Sequence, residues 1–144
     1  MTQLLLIARV AGERIAIDAA EIESVVELEA TTPIPRSAPH VAGLAALRSR
    51  VVTVIDCLAA LELGHSPASY PRDAIVVAVE GHPYALLVDA VEDVLEHSGE
   101  LRPVRTRPAP GWDRVSKGMV LAEDDLVLLI DIQALIAGPA ALAA

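Results

Sequence analysis

Short apolar runs rich in Val, Ile and Leu, separated by turn residues, recur along the whole chain. No segment keeps an apolar period of about 3.6 residues over three helical turns, so the pattern favours strands over helices. The runs predict ten strands, at residues 4–10, 14–18, 22–28, 43–47, 50–56, 74–80, 84–89, 91–97, 118–121 and 126–132. Two helical turns are predicted at residues 58–63 and 133–137, each ending at a glycine, Gly64 or Gly138.

The chain also contains an internal repeat. Residues 12–27 align with residues 81–96 at an offset of 69 positions, and residues 31–56 align with residues 106–131 at an offset of 75. The matched pairs include Gly12/Gly81, Ala16/Ala85, Glu23/Glu92, Gly43/Gly118, Val52/Val127 and Asp56/Asp131. Because Gly and Asp match in order across a single insertion, the repeat indicates the tandem duplication of one β module.

Five short strands joined by tight turns predict a small barrel, because closure pairs the edge groups that an open sheet exposes. We therefore expect an all-β fold of one 144-residue domain with two five-stranded barrels, at about residues 10–66 and 74–138. The pattern leaves open whether the N-terminal strand or the C-terminal segment completes the other barrel. Residues 75–79 and 126–130 are unbroken apolar runs, which predicts strands covered on both faces and one core shared by the barrels.

Composition narrows the classes of function. The formal net charge of −9 predicts repulsion from phosphate backbones and anionic lipid, and only three aromatic residues, Tyr70, Tyr84 and Trp112, are available for stacking on bases. Nucleic acid is therefore not expected as a partner. No export signal or apolar stretch of membrane-spanning length is visible, so we expect a cytoplasmic protein without membrane insertion. Cys57 is the single cysteine and is expected to be a small core residue.

Three aspartates, Asp56, Asp89 and Asp131, end apolar runs in positions that resemble catalytic ones. None precedes the Ser/Thr-Gly pair of an aspartic protease, and Asp56 and Asp131 are expected to cap the turns that follow them. The four histidines, His40, His65, His82 and His97, lack metal-ligand spacing and are expected in exposed loops. We therefore expect no enzyme activity, metal or cofactor. An aspartate-based phosphoacceptor or hydrolase using Asp56 with Asp131 is the alternative from another class.

Positive charge is concentrated late in the chain, at Arg102, Arg105, Arg107, Arg114 and Lys117. This block suits either solvated loops or a docking rim. Arg48 differs because it lies inside an apolar hairpin pattern, where its guanidinium must pair internally or reach across a surface to a partner. The sequence leaves both choices open.

The order of motifs resembles the CheW family of bacterial chemosensory coupling adaptors over almost the whole chain. The sequence 12–18 is similar to the family's Gly-x-x-x-(Ala/Gly)-Ile-Asp entry motif, and the sequences 25–28, 32–35 and 41–43 resemble its next three motifs. The sequences 47–48 and 51–56 resemble the family's Asn-Leu-Arg-Gly and Val-x-Pro-Ile/Val-Val-Asp motifs. The sequences 88–94, 118–119 and 128–131 resemble its closing motifs.

The resemblance implies two SH3-like barrels and a non-catalytic adaptor. Members of the family couple the regulatory domain of a CheA-type histidine kinase to the cytoplasmic hairpin tip of chemoreceptors, in arrays beneath the inner membrane. The receptor tip docks in the groove between the barrels. By motif, the receptor groove would be bordered by Ile22, Val26, Arg48, Val88, Val91 and Val94. The kinase-facing side of the first barrel would contain Leu44, Leu47, Ser49 and Val51.

The chain departs from the family pattern at three places. Ser49 replaces the glycine of Asn-Leu-Arg-Gly, Thr53 stands where a proline is usual, and Val120 replaces the second closing glycine. A serine restricts the positive φ that glycine allows, so the turn at Ser49 is expected to differ. A divergent self-assembling scaffold that retains only one partner is therefore kept as a second alternative.

Overall fold

The structure is a computed structural model that describes residues 3–67, 69–97, 102–103, 110–122 and 125–138. The strands are β1 (Gln3–Val10), β2 (Glu13–Asp18), β3 (Ile22–Leu28), β4 (Val41–Leu47), β5 (Arg50–Asp56), β6 (Arg72–Val79), β7 (His82–Leu87), β8 (Ala90–His97), β9 (Ser116–Ala122) and β10 (Asp125–Ile130). The described α-helices are α1 (Cys57–Ala60), α2 (Pro110–Val115) and α3 (Ile132–Ala137), and one 3₁₀ turn spans Ala19–Glu21. The all-β prediction is confirmed, because each helix has six residues or fewer.

The strands form two five-stranded sheets. Sheet I has the order β8-β1-β2-β10-β9, and sheet II has the order β3-β6-β7-β5-β4. When each strand is replaced by its repeat counterpart, β1 by β6 through β5 by β10, the order of sheet I becomes that of sheet II. The predicted repeat is therefore confirmed in the topology. Each sheet combines two strands from one half of the chain with three strands from the other, so the halves exchange strands.

Both sheets curl toward barrels. The edge strands of sheet I, β8 and β9, contact each other. In sheet II the segment after β3 reaches the edge strand β4, where Thr32 and Leu44 exchange two backbone hydrogen bonds of 2.8 Å. These contacts cover part of the edges that would otherwise expose unpaired backbone groups.

Three apolar cores follow from the alternation of side chains along each strand. On β6, Ile75 and Val77 point into a core shared by the two sheets, whereas Ala74 and Val76 point into the interior of sheet II. On β1, Leu5 and Ile7 fill the interior of sheet I. The central strands are therefore covered on both faces, as the unbroken apolar runs predicted.

The predicted aspartate caps of α1 and α3 are confirmed, but the predicted end of the first helical turn at Gly64 is wrong. Asp56 and Asp131 cap their helices, with their carboxylates accepting from the backbone N–H of Leu58 (3.1 Å) and of Ala134 (3.2 Å), respectively. The first turn does not end at Gly64, however. The left-handed residue is Glu62, with φ of 60°, and the N–H of Leu63 donates back to the Leu58 carbonyl at 2.9 Å. This Schellman-type closure stops the helix before the glycine.

Helix α2 was not predicted, because its sequence Pro-Gly-Trp-Asp-Arg-Val contains two residues that usually mark loops. It buries Trp112 in the shared core. Its Arg114 donates to the carbonyl of Ala60, the last residue of α1, and to that of Ala134 in α3 at 2.8 Å. Arg114 therefore joins the three short helices over the shared core.

Candidate functional site

The hairpin of β4 and β5 presents an apolar outer face, here called the hairpin patch and consisting of Leu44, Ala46 and Val51. Ala46 pairs directly with Val51 across the hairpin, so the two side chains share one face. Leu44 is 38% exposed and Val51 56% exposed, whereas the intervening Ala45 and Val52 fill the interior of sheet II. Exposed apolar residues that are clustered in this way are typical of contact surfaces.

Arg48 lies at the tip of this hairpin. Its φ of 56° is in the left-handed region, which a side chain with a Cβ rarely adopts. Arg48 is exposed and forms no hydrogen bond or ion pair with another described residue. The unusual backbone angle falls on Arg48 rather than on Ser49, the position singled out in the sequence. Arg48 also lies beside Leu47 and Ser49, which the family resemblance assigns to the kinase side.

The other residues expected at the receptor groove divide into exposed and buried positions. Val94 is 51% exposed on β8, and Ile22 and Val91 are partly buried against the shared core. Val88 is 1% exposed inside that core, so its side chain has almost no surface to offer a partner. Val26 packs partly buried against the interior core of sheet II.

On β3 the exposed valine is Val25 rather than Val26. Val25 lies on the face of sheet II that also carries the shared core. The pairing of β3 with β6 shifts between Ile22 and Ser24, so that Glu23 is an extra residue and the alternation of side chains changes there. Val25 consequently pairs with Ile75, a shared-core residue, and is 46% exposed. The sequence did carry a signal for this position, because the offset of 69 places Val25 over Val94.

A groove of about 390 Å³ lies beside Ile22, between β3, β6 and the start of α3. We call it the glutamate groove. Its lining consists of Ala20, Glu21, Ile22, Glu23, Ala78, Val79, Glu80, Ile132 and Gln133. Glu21 is 3.8 Å from Lys117, and Glu23 pairs with Arg50. The Oε2 atom of Glu21 is buried and has no hydrogen-bond partner among the described residues.

In the second half of the chain, the counterpart of Glu23 at the offset of 69 is Glu92, which lies in an ion-pair network instead of a groove. Arg9 and Arg14 each contact Glu92 at 2.9 Å, and Arg14 also contacts Asp125 at 2.6 Å. The hydrogen bond from Arg14, with that from Arg9, holds the pKa of the Glu92 carboxyl below its ordinary value. The network therefore stabilises the folded state at neutral pH, and this contribution is lost as the pH falls through the lowered pKa.

The three described residues of the predicted positive block have different surroundings. Arg114 is occupied by helix carbonyls, and Lys117 lies near Glu21. Arg102 is exposed and pairs through its backbone with Met119. Arg105 and Arg107 lie outside the described residues.

The carboxylate of Asp56 has a structural role. Asp56 is 6% exposed, and besides the N–H groups of α1 its carboxylate accepts from the backbone N–H (2.9 Å) and the hydroxyl (2.7 Å) of Ser66. Because its oxygens are occupied and shielded, the geometry does not favour Asp56 as a phosphoacceptor or nucleophile. Burial, with a contribution from the Asp56 carboxylate, raises the pKa of the Cys57 thiol, and Cys57 is in the shared core as expected.

The expectation of exposed loop histidines was wrong for His40, which is 4% exposed and bonds through Nε2 to the Ile136 carbonyl at 2.7 Å. His82 lies on β7 rather than in a loop. Within the described ranges, no three His, Cys, Asp or Glu side chains are grouped closely enough to hold a metal ion. None of the described helices is long and apolar enough to cross a membrane.

The fold is a small β scaffold of two five-stranded sheets. Apolar side chains are exposed at the margins of these sheets, where another protein could contact them. Comparison with known proteins gives the family. Residues 4–140 match the CheW-like domain, and the chain belongs to this family.

Relatives agree with this assignment. The chain is 33% identical to the probable chemotaxis protein CheW of Rhizobium etli over 122 residues, covering 79% of this chain and 76% of that protein. It is 28% identical to the chemotaxis protein CheW of Thermotoga maritima over 124 residues, covering 86% and 81%. The crystal structure of the scaffolding protein TtCheW from Thermoanaerobacter tengcongensis superposes with a TM-score of 0.78 at 23% identity, covering 90% of this chain and 89% of that one.

Proposed function

We propose that this protein is a non-catalytic cytoplasmic adaptor that couples chemoreceptors to a CheA-type histidine kinase in bacterial chemosensory arrays. One observation carries the proposal. Among the described residues, exposed apolar side chains lie in separate regions that include the hairpin patch on β4–β5 and the outward valines of β3 and β8, on sheets that share one core. An adaptor needs two such surfaces at once, and the chemotaxis relatives support this role.

The kinase side is proposed at the hairpin patch with Leu47 and Ser49. The apolar residues of the hairpin patch protrude from the edge strand β4 and from its neighbour β5, where a second β domain can pack against them without opening the fold. Ser49 supplies a polar group at the rim. The regulatory domain of a CheA-type kinase is the proposed partner.

The receptor side is proposed at the inter-sheet margins, with Ile22, Val25, Val91 and Val94 as contact residues. Val26 and Val88 would support these residues from the cores beneath. A helix of the receptor hairpin would lay its apolar face against such a surface, the helix-in-groove mode of recognition. The receptor arrays beneath the inner membrane are the proposed location.

Charged substitutions on the two surfaces should separate the two partners. We expect Val51→Asp to reduce binding of the kinase regulatory domain by at least about tenfold, because a carboxylate would be buried in an apolar contact. We expect Val94→Asp to reduce receptor binding by a similar factor. Titration of each variant with the kinase domain and with a receptor hairpin fragment of the same organism measures both affinities. Loss of both partners by either variant, with the fold intact, would contradict the separate surfaces.

Arg48 is proposed to face the receptor from the hairpin tip. We expect Arg48→Glu to weaken receptor binding about tenfold or more while the unfolding midpoint stays nearly unchanged, because the side chain is exposed and has no described partner to lose. Arg48→Gly is the matched control. It should also weaken receptor binding, but it should raise stability by relieving the left-handed φ. If Arg48→Glu weakens only kinase binding, Arg48 belongs to the other surface.

A further inference from the structure

Glu23 and its repeat counterpart Glu92 have different surroundings in the two halves of the chain. Glu23 and Glu92 are equivalent by the offset of 69, and each lies at the register shift of its edge strand. Glu92 is held by two guanidinium groups, from Arg9 on β1 and Arg14 on β2. The residues equivalent to Arg9 and Arg14 in the other half are Ala78 and Pro83.

This replacement leaves the space beside Glu23 open. Ala78 ends at a methyl group where Arg9 extends a guanidinium, and the glutamate groove lies along this side chain. Within the part of the chain that the structure describes, Glu23 keeps a single ion pair, to Arg50 on the β4–β5 hairpin. Glu21 contributes a buried Oε2 atom that lacks a described hydrogen-bond partner, on a side chain that is 38% exposed and whose Oε1 atom is 3.8 Å from Lys117.

The remaining lining is suited to the stem of an arginine. Ile22, Val79 and Ile132 give the groove apolar walls, and Glu80 adds a third carboxylate at its margin. Arginine packs its methylenes along apolar surface while its guanidinium forms paired hydrogen bonds with carboxylates. The groove therefore combines the two features that an arginine side chain needs.

We propose that the glutamate groove accepts an arginine from the receptor helix that docks on the inter-sheet margin. The partner would supply to Glu21 and Glu23 the guanidinium that Arg9 supplies to Glu92 within the chain. This inference rests on the proposed function, since it assigns the chemistry of the receptor side. It predicts that the docked helix carries an arginine next to its apolar stripe.

The direct test uses designed helical-hairpin peptides with one apolar face of Leu and Ala. Three versions carry Arg, Gln or Glu at the same position beside that face, and fluorescence anisotropy gives their affinities for the full chain at low and high salt. We expect the Arg version to bind about tenfold more tightly than the Gln version, the effect of one charge-assisted hydrogen bond. The Glu version should bind most weakly, and the differences should shrink at high salt.

Two variants of the protein test the groove itself. Ala78→Arg should fill the groove from within and remove the preference for the Arg peptide, and Arg9 shows that the fold carries arginine at the equivalent position. Glu23→Gln removes one carboxylate without adding bulk and should reduce the preference about threefold or more. Ala30→Arg, which adds the same charge at an exposed position outside the groove, should keep it.

The outcomes separate the inference from the proposed function. Equal binding of the Arg and Gln peptides would overturn the arginine pocket, while receptor binding that is sensitive to Val94→Asp would still support the adaptor role. A preference that survives both Ala78→Arg and Glu23→Gln would also overturn the pocket. If no peptide binds and the receptor hairpin fragment does not bind either, the receptor side fails as a whole.

Discussion

Replacing Asp56 by alanine is expected to lower the free energy of unfolding by about 3 kcal/mol, whereas the same change at Asp131 should cost about 1 kcal/mol. Both residues cap a short helix, but their surroundings differ. Asp56 is buried and also accepts two hydrogen bonds from Ser66, whose N–H and hydroxyl would lose their acceptor. Asp131 is partly buried and accepts from Ala134. Urea unfolding followed by the fluorescence of Trp112, the single tryptophan, measures both changes.

Ser66→Ala provides the control for this comparison. It removes the hydroxyl that donates to Asp56 but keeps the backbone N–H, so its cost should lie well below that of Asp56→Ala. The double variant should cost less than the sum of the single ones, because both act on one hydrogen-bonded group. Equal losses for Asp56→Ala and Asp131→Ala would show that capping alone accounts for the role of Asp56.

Gly43→Ala is expected to cost about 3 kcal/mol or more, enough to unfold a marginally stable domain. A Cβ at position 43 would lie 2.1 Å from the backbone oxygen of Thr32, and φ at this residue is 148°. The Thr32 oxygen cannot move aside, because it accepts the hydrogen bond from Leu44 that joins the segment after β3 to the edge of sheet II. Thermal unfolding monitored by circular dichroism gives the loss.

Gly12→Ala is the matched control. Gly12 also has a positive φ, of 80°, but a Cβ there would meet no atom within 4 Å. Its substitution should cost only about 1 kcal/mol, the strain of the left-handed backbone. If Gly43→Ala is no more costly than Gly12→Ala, the close approach of Thr32 is not what requires the glycine.

The hydrophobic pattern predicted the strands and the shared core because these depend on local alternation and on turn residues. The side chains of Asp56 and Asp131 could be assigned as caps for the same reason, since a cap acts within three residues of its own position. Buried residues such as Ile75 and Val76 followed from an apolar run without breaks. Each of these features is specified by neighbouring positions in the chain.

The candidate site was less predictable because it depends on shifts between strands. The register shift at Glu23 turns Val25 outward and Val26 inward, and an apolar run reads the same with or without such a shift. The burial of Val88 depends on the packing of one sheet on the other. The sequence did not predict the left-handed backbone of Arg48, because an arginine residue seldom adopts that conformation. The repeat alignment was the one sequence signal that compared equivalent positions across the halves.

The crossing of strands between the halves has a consequence for how such a molecule could have arisen. A single module of about half this length would pair its first strand with its second and its fourth with its fifth, but its third strand would have no neighbour, and a second copy would have to supply one. Such a module completes both sheets only as an intertwined pair of copies, and the tandem repeat places that symmetric pair in one polypeptide. Within one polypeptide the two copies differ in sequence, and an arginine present in one of them and absent from the other gives an otherwise symmetric surface two distinct ends.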